Sequence, residues 1–383
     1  MNNIITEYEY HQEKETFTGI NIPLKWLTEE PPKVDFAINP LAPIGAVTML
    51  VAHGGVGKSY LAMKMGIHTC LGLEILNAET NGEKVAYMSL EDPQPPIRQR
   101  LYNLINRMPN DVKSRIQEIS DKFILIDRYG LPTHFANNFN GEVEISSIVD
   151  DLAVYLKLNN IRCLFIDTMV RSHSLDENSN AQMGALLVAY ERLASKAGCS
   201  VVLIHHVPKN NSNQLHAARG ASSITDNARS VILLERVKPS EVNDFLEPEI
   251  KEAIKAGRFV KVTHAKHNYS AQHETTWLEI TDNGVPEERY PSSDERSQHE
   301  QRYTEIYDWW RKEWLGKPVT LTNVKDNTNS IRPAGANYSK HKYGHAFESA
   351  IFIGFAEKTC PPENGSKNGL AKYYTLHPWE KKC

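Results

Sequence analysis

The chain has 383 residues, 40% of them hydrophobic and 23% charged, and its 43 Lys+Arg and 47 Asp+Glu give a formal net charge of -4. These proportions exclude wholesale disorder and fibrous structure, and the near-neutral charge removes the simplest argument for a nucleic-acid partner, which is a strongly basic chain. No apolar run approaches the roughly 18 residues of a membrane helix, and the five cysteines form no CxxC pair, so we expect a cytoplasmic protein without a membrane partner, a disulfide framework or a cysteine zinc site.

The first three quarters of the chain predict an arm followed by an α/β domain. Residues 1–22 lack periodicity and are predicted to form a flexible arm. Between residues 23 and 285, apolar runs alternate with segments of helical spacing, which is typical of a mostly parallel twisted sheet flanked by helices. The predicted strands are 47–53, 84–91, 123–129, 162–168 and 200–206, and the predicted helices are 59–72, 97–108, 142–158 and 180–197. Further runs at 230–237, 259–267 and 275–282 predict antiparallel strands at the sheet edge.

The rest of the chain predicts a second, smaller domain. Residues 286–300 are rich in Pro, Ser and charge and are predicted to be a linker. In 301–383, helical segments precede a turn-rich hairpin that closes on Tyr373 and Tyr374, an order compatible with a small winged helix. From residue 311 onward there are 12 Lys+Arg and 6 Asp+Glu, so a basic tail follows an acidic body. This tail could contact DNA or a protein partner, or it could form a solvated cap that stabilises an assembly.

A phosphate-binding loop is predicted between the first strand and the first helix of the sheet. The sequence AHGGVGKS begins at Ala52, where the usual motif has a glycine, but two extra glycines follow and the strand-to-helix setting is intact. Glycines allow successive N–H groups to turn toward a triphosphate, and the helix adds its positive end. We expect Lys58 to contact the β- and γ-phosphates of ATP and the Ser59 hydroxyl to bind Mg²⁺. The predicted nucleotide-binding residues of the loop and first helical turn are Gly54, Gly55, Val56, Gly57, Lys58, Ser59 and Tyr60.

Two carboxylates follow strands that should end beside this loop. Asp167 ends the apolar run RCLFIDT, and a carboxylate at that place would hold Mg²⁺ through water. Some phosphate-loop ATPases use an acid directly after the magnesium carboxylate as the catalytic base. Here that residue is Thr168, so the base must come from elsewhere. Glu91 ends the run KVAYMSLE and could deprotonate the attacking water, because the carboxyl ends of parallel strands converge on the ligand. The adjacent Asp92 is expected to point differently.

These motifs in this order resemble the RecA-like P-loop ATPase core. Within that group, several segments look like the plasmid RepA type of ring-shaped replicative helicase, over residues from about 24 to 282. The segments are APIGAVTMLVAHGGVGKS, SLEDPQPPIRQRL, LFIDT, LIHHVPK and ARGASSITDNARS. The C-terminal part of the chain is not covered by the resemblance.

The resemblance implies further site residues. It gives Lys58 and Ser59 the phosphate and magnesium roles, Asp167 the second magnesium role and Glu91 the role of base. It also places Arg100 near the nucleotide. His206 matches a residue that links the γ-phosphate to the DNA-binding loops, with His205 as the competing choice. Arg219 looks like the arginine that is presented to a neighbouring subunit's nucleotide, and Lys266 lies on a strand whose counterpart contributes such a cation.

The histidine pair and the polar segment after it have alternative interpretations. Adjacent residues on a strand point to opposite faces, so His205 and His206 cannot easily share a zinc ion. In a ring, segment 207–220 would project into the channel, where Lys209 could contact single-stranded DNA. The alternative is a solvated loop. Segment 171–182 is a second candidate channel loop, although its acids disfavour a phosphate contact.

We therefore expect an ATP- and Mg²⁺-dependent DNA helicase or translocase that assembles with itself, as a hexamer, and replicates a plasmid, phage or mobile element. A replication initiator or primase is a further candidate partner. The alternatives are an ATPase that loads or remodels proteins on DNA without unwinding, and a DNA-binding module that ATP regulates. A small-molecule kinase is disfavoured because no acceptor-binding lid is evident.

Overall fold

The computed structural model describes residues 21–207, 227–239, 246, 248–270 and 275–289, and beyond them the backbone of three short strands. The chain divides into two compact units, Met1–Val34 and Asp35–Cys383. In the first unit the described residues contain helix α1 (Leu24–Thr28), none of whose side chains is buried. None of the helices in the described ranges is long and apolar enough to cross a membrane.

The second unit alternates strands and helices as the sequence predicts. The strands of its central region are β1 (Phe36–Asn39), β2 (Ala42–Pro43), β3 (Val47–His53), β4 (Glu79–Thr80), β5 (Lys84–Ser89), β6 (Phe123–Asp127), β7 (Ala136–Phe139), β8 (Glu142–Ile145), β9 (Ile161–Asp167), β10 (Ser200–Val207), β11 (Ser230–Arg236), β12 (Phe259–His267), β13 (Thr276–Ile280) and β14 (Pro286–Glu288). The helices are α2 (Lys58–Leu71), α3 (Gln94–Arg107), α4 (Asn110–Lys113), α5 (Ile116–Lys122), α6 (Ile148–Leu158), α7 (Asn180–Ala197) and α8 (Pro248–Lys255).

The central sheet has nine strands in the order β14-β13-β12-β11-β3-β10-β9-β5-β6. The six strands from β11 to β6 are parallel, and β12, β13 and β14 extend the sheet by antiparallel pairing. This confirms the predicted mostly parallel sheet with antiparallel edge strands. The start of the predicted linker, Pro286–Glu288, forms the last of these strands.

Both faces of the sheet are covered, because the strands are apolar on both sides. On one face, residues such as Leu164 and Leu203 pack against α6 and α7. On the other face, Phe165 and Ile204 pack with α2 and α3. Side chains alternate between the faces along each strand, so a residue's position in a strand tells which layer it joins.

One predicted helix begins later than expected. The sequence predicts a helix from Glu142 to Leu158, but Glu142–Ile145 is the strand β8, which forms a hairpin with β7. Val143 and Ile145 pack against the core, whereas the two glutamates between and before them do not, which is the period-two pattern of a strand. Asn140 and Gly141 both have positive φ and form the hairpin turn, so their Asn-Gly dipeptide was the signal for it.

In the C-terminal segment, strands β15 (Val319–Thr320), β16 (Ala356–Thr359) and β17 (Tyr373–Leu376) form a small antiparallel sheet with β17 in the middle. The predicted pairing of a strand containing Tyr373 and Tyr374 with a preceding strand is present. The helices predicted in 301–383 lie outside the described residues, apart from the end of segment 338–358, which belongs to β16. The winged helix stays a prediction.

Candidate nucleotide site

The phosphate loop joins β3 to α2 at the carboxyl edge of the sheet. Gly55 and Gly57 have φ of 75° and 95°, a region that L side chains rarely adopt, so these two positions need glycine. Gly57 is the N-cap of α2, and no side chain caps the helix. The first N–H groups of α2 are therefore available to an anion, with the helix dipole in favour of binding.

Lys58, the first residue of α2, folds back over the loop. Its Nζ donates to the carbonyl oxygens of Ala52 and His53, each at 2.9 Å, and the residue is only 3% exposed. Burial lowers the pKa of Lys58 to about 8, against the opposing effects of Asp167 and Glu91. A bound phosphate would supply the negative charge that this ammonium group lacks among its present partners.

Asp167 lies at the end of β9, beside Ser89 at the end of β5, and is 4% exposed. Its Oδ2 accepts a hydrogen bond from the Tyr87 hydroxyl, while Oδ1 has no partner among the described residues. Burial raises the pKa of Asp167, and the hydroxyls of Tyr87 and Ser59 oppose this effect. A buried carboxylate oxygen without a donor, with the Ser59 hydroxyl near it, is a donor set that fits Mg²⁺.

The two acids after β5 point to different partners, as the sequence predicts. Asp92 accepts a hydrogen bond from Arg100 on α3 at 2.5 Å. Glu91 extends into the site with 46% of its side chain exposed, and its Oε2 lies 4.0 Å from Nε2 of His206. Of the two acids, Glu91 is therefore the one whose carboxylate is not held by Arg100 and lies near His206.

The histidine pair is divided between the two faces of the sheet. His206 follows Ile204 on the face covered by α2, so it lies on the same side as the phosphate loop and is 43% exposed. Burial and Lys58 lower the pKa of His206. His205 is buried on the opposite face with α7, and burial lowers its pKa to about 4. The geometry thus places His206, and not His205, beside Glu91.

Within the described ranges, no three His, Cys, Asp or Glu residues come together in a way that could hold a metal ion.

Tyr60, which follows Ser59 on α2, packs beside Arg100 of α3. The Arg100 guanidinium lies 6.0 Å from the centre of the Tyr60 ring, and Asn103 donates to the Tyr60 hydroxyl at 2.9 Å. Gly284, in the turn between β13 and β14, allows the ring to fit, since a Cβ there would lie 2.9 Å from it. Three segments that are distant in sequence therefore fix this tyrosine.

Of the remaining predicted residues, only Lys266 lies within the described part of the chain, and it does not line this site. Lys266 pairs with Val231, which pairs with Met49 at the far end of β3, so it lies toward the opposite edge of the sheet from the chain's own phosphate loop. Its predicted role is toward a neighbouring subunit and stays a prediction. Arg219 and Lys209 lie outside the described residues.

Sequence reasoning missed Tyr87, which is fully buried and binds the carboxylate of Asp167. Tyr87 occupies an ordinary apolar position of β5, and it pairs in register with Phe165. Only the adjacency of β5 and β9, which the sequence does not state, brings its hydroxyl to the end of β9.

A family model described as an AAA domain matches residues 14–212, which is just over half of the chain. The chain therefore belongs to this family of P-loop ATPases. The match includes the phosphate loop, both carboxylates and the histidine pair. Members of this family use a nucleotide and hydrolyse ATP. Strands β11–β14 and the C-terminal segment lie beyond it.

Proposed function

We propose that this AAA-domain ATPase is a ring-forming motor of the RepA-helicase type, which couples ATP hydrolysis to movement along single-stranded DNA during replication of a plasmid, phage or mobile element. The observation that supports this most is the 4.0 Å approach of Glu91 and His206. His206 is the penultimate residue of β10, and the polar segment with Lys209 follows directly. A change at the γ-phosphate would thus be transmitted along β10 to the segment that is proposed to bind DNA.

The chain's own residues provide the hydrolysis chemistry. Lys58 would exchange its two carbonyl partners for phosphate oxygens, and the N–H groups at the start of α2 would hold the same phosphates. Glu91 would accept the proton of the attacking water. Asp92 cannot easily compete for that role, because Arg100 holds it.

Ser59 and Asp167 would hold Mg²⁺, which when bound would neutralise charge on the phosphate oxygens. Tyr87 keeps the carboxylate of Asp167 in place by its hydrogen bond to Oδ2, and Oδ1, which has no partner among the described residues, would hold the ion or one of its waters. Arg100 and Tyr60 would bound the nucleotide on the side of α3.

Ring assembly would complete the site in trans. Arg219 is proposed to reach the nucleotide of a neighbouring subunit, and Lys266, on the far side of the sheet from its own loop, is proposed as a second cation for that interface. An arginine in trans makes hydrolysis depend on assembly. Arg219→Ala should bind nucleotide normally and lose hydrolysis in the assembled protein, and unchanged turnover would contradict the trans role.

The test of the motor uses the full chain with Mg²⁺-ATP and a forked DNA duplex. We expect single-stranded DNA to stimulate hydrolysis and the duplex to separate. If neither occurs, the proposed motor is wrong. Stimulated hydrolysis without strand separation would favour an ATPase that loads or remodels other proteins on DNA.

Electron microscopy with a non-hydrolysable ATP analogue, with and without single-stranded DNA, tests the assembly. We expect a closed ring with six subunits and DNA in its channel. A monomer under both conditions would contradict the ring.

The variant Glu91→Gln tests the alternative of a DNA-binding module that ATP regulates. If this variant binds DNA more tightly and keeps its function in the cell, ATP regulates binding and hydrolysis is incidental.

A further inference from the structure

Arg236, the last residue of β11, contacts the phosphate loop from outside it. β11 pairs in parallel with β3 from Ser230–Thr48 to Leu234–Ala52, and continuing this register by two residues places Arg236 beside Gly54. Leu234 packs on the face covered by α2, and Arg236, two residues later, leaves the strand on that same face. The strand therefore directs this arginine to the loop.

The contact is a hydrogen bond to the backbone of the loop. Nη2 of Arg236 donates to the carbonyl oxygen of Gly55 at 2.6 Å. No ion pair involves Arg236 within the described residues, although its side chain is exposed. Among the described residues, the Gly55 carbonyl is therefore the hydrogen-bond partner that fixes the position of the Arg236 guanidinium group.

The orientation of one peptide group follows from this bond. The peptide between Gly55 and Val56 is trans, so its carbonyl and its N–H point in opposite directions. While Arg236 holds the Gly55 carbonyl, the Val56 N–H points away from Arg236. Gly55 itself is in the left-handed region, with φ of 75°, which a glycine adopts without strain.

We propose that Arg236 is a positioning residue, which holds the Gly55 carbonyl outward so that the Val56 N–H is turned toward the phosphates of the nucleotide. It acts through the loop and touches neither the base nor the transferred phosphate. The proposal rests on ATP binding by this site and not on movement along DNA, so nucleotide-binding experiments test it separately from the motor.

The test measures Mg²⁺-ADP and Mg²⁺-ATP affinity of Arg236→Ala by calorimetry. We expect about a tenfold rise in both dissociation constants, because one charge-assisted hydrogen bond to phosphate is misdirected. In steady-state hydrolysis, KM should rise by about the same factor while kcat changes less than twofold. A wild-type affinity for both nucleotides would overturn the proposal.

Arg258→Ala is the matched control. Arg258 is another arginine at this edge of the sheet, but it pairs with Asp282 and Glu279 and not with the loop. We expect its nucleotide affinity to equal that of the wild type. An equal loss in both variants would mean that general positive charge is responsible, and would overturn the proposal.

Two further measurements separate positioning from direct contact. Arg236→Gln keeps a donor without the charge and Arg236→Lys keeps both, and we expect each to restore part of the lost affinity. Restoration by lysine alone would indicate a direct phosphate cation and overturn the proposal. The loss should also be equal for ATP and GTP, since the loop binds phosphates, and a loss confined to one base would overturn it too.

Discussion

Lys58 should take up a proton when nucleotide binds, and the structure sets the pH range. Burial lowers the pKa of Lys58 to about 8 in the protein without nucleotide, from an ordinary value of 10.5. Phosphate oxygens stabilise the charged ammonium group, so binding must raise this pKa again. Above pH 8 the free protein carries a neutral lysine and the complex a charged one, so binding consumes protons.

The expected size follows from the titration of one group. With a pKa of about 8, Lys58 is about nine-tenths protonated at pH 7 and about one-quarter protonated at pH 8.5, so uptake should rise from about 0.1 to about 0.75 proton per nucleotide. The same linkage predicts that nucleotide affinity falls roughly tenfold between pH 7 and pH 9. Because binding raises the pKa of Lys58, nucleotide affinity falls as the pH rises. A group whose pKa the ligand lowers would make the affinity rise with pH instead.

Calorimetric titration in buffers of different ionisation enthalpy measures this uptake. Lys58→Arg is the control, because a guanidinium group stays protonated throughout the range. Any uptake by His206, whose pKa is lowered, should occur in both proteins and cancel in the difference. An uptake at pH 8.5 that is near zero, or equal in the two proteins, would refute the reasoning about Lys58.

Three further changes test the site and its supports. Glu91→Gln should lower turnover by about 10²–10⁴ without weakening nucleotide binding, because a general base is lost, and turnover within about tenfold of the wild type would show that another group is the base. Tyr87→Phe removes the donor to the buried carboxylate of Asp167 and should lower the free energy of unfolding, measured in urea, by about 1–3 kcal/mol. An unchanged midpoint would mean that the hydroxyl contributes nothing. Gly284→Ala, with φ of +80° and a Cβ 2.9 Å from the Tyr60 ring, should cost about 2–4 kcal/mol, and Gly198→Ala, at φ of +66° with nothing within 4 Å, only about 1 kcal/mol. Equal losses in the two glycine variants would show that contact with the ring is not the cause.

The phosphate loop and the end of β9 could be predicted because their signals are local. The glycines before Lys58 stand between an apolar run and a helical one, and Asp167 ends an apolar run, so both places follow from a few adjacent residues. The division of the two histidines between the faces follows from the period of a strand in the same way. The antiparallel edge was predicted from the absence of a long helix between two runs.

Contacts that depend on strand order could not be predicted. Tyr87 reaches Asp167 because β5 and β9 are neighbours, and Arg236 reaches Gly55 because β11 lies beside β3, although 181 residues separate them. The hairpin before α6 had a local signal in Asn140 and Gly141, but the four residues of β8 are too few for their strand period to stand out from the helix that follows. Short amphipathic runs do not distinguish the two periods.

The central claim is that hydrolysis at this site drives movement along single-stranded DNA. The most direct measurement is the displacement of streptavidin from an oligonucleotide that carries biotin at either its 5′ or its 3′ end. We predict ATP-dependent displacement from one end only, and none with Glu91→Gln. ATP hydrolysis that DNA stimulates but that displaces streptavidin from neither end would contradict the account.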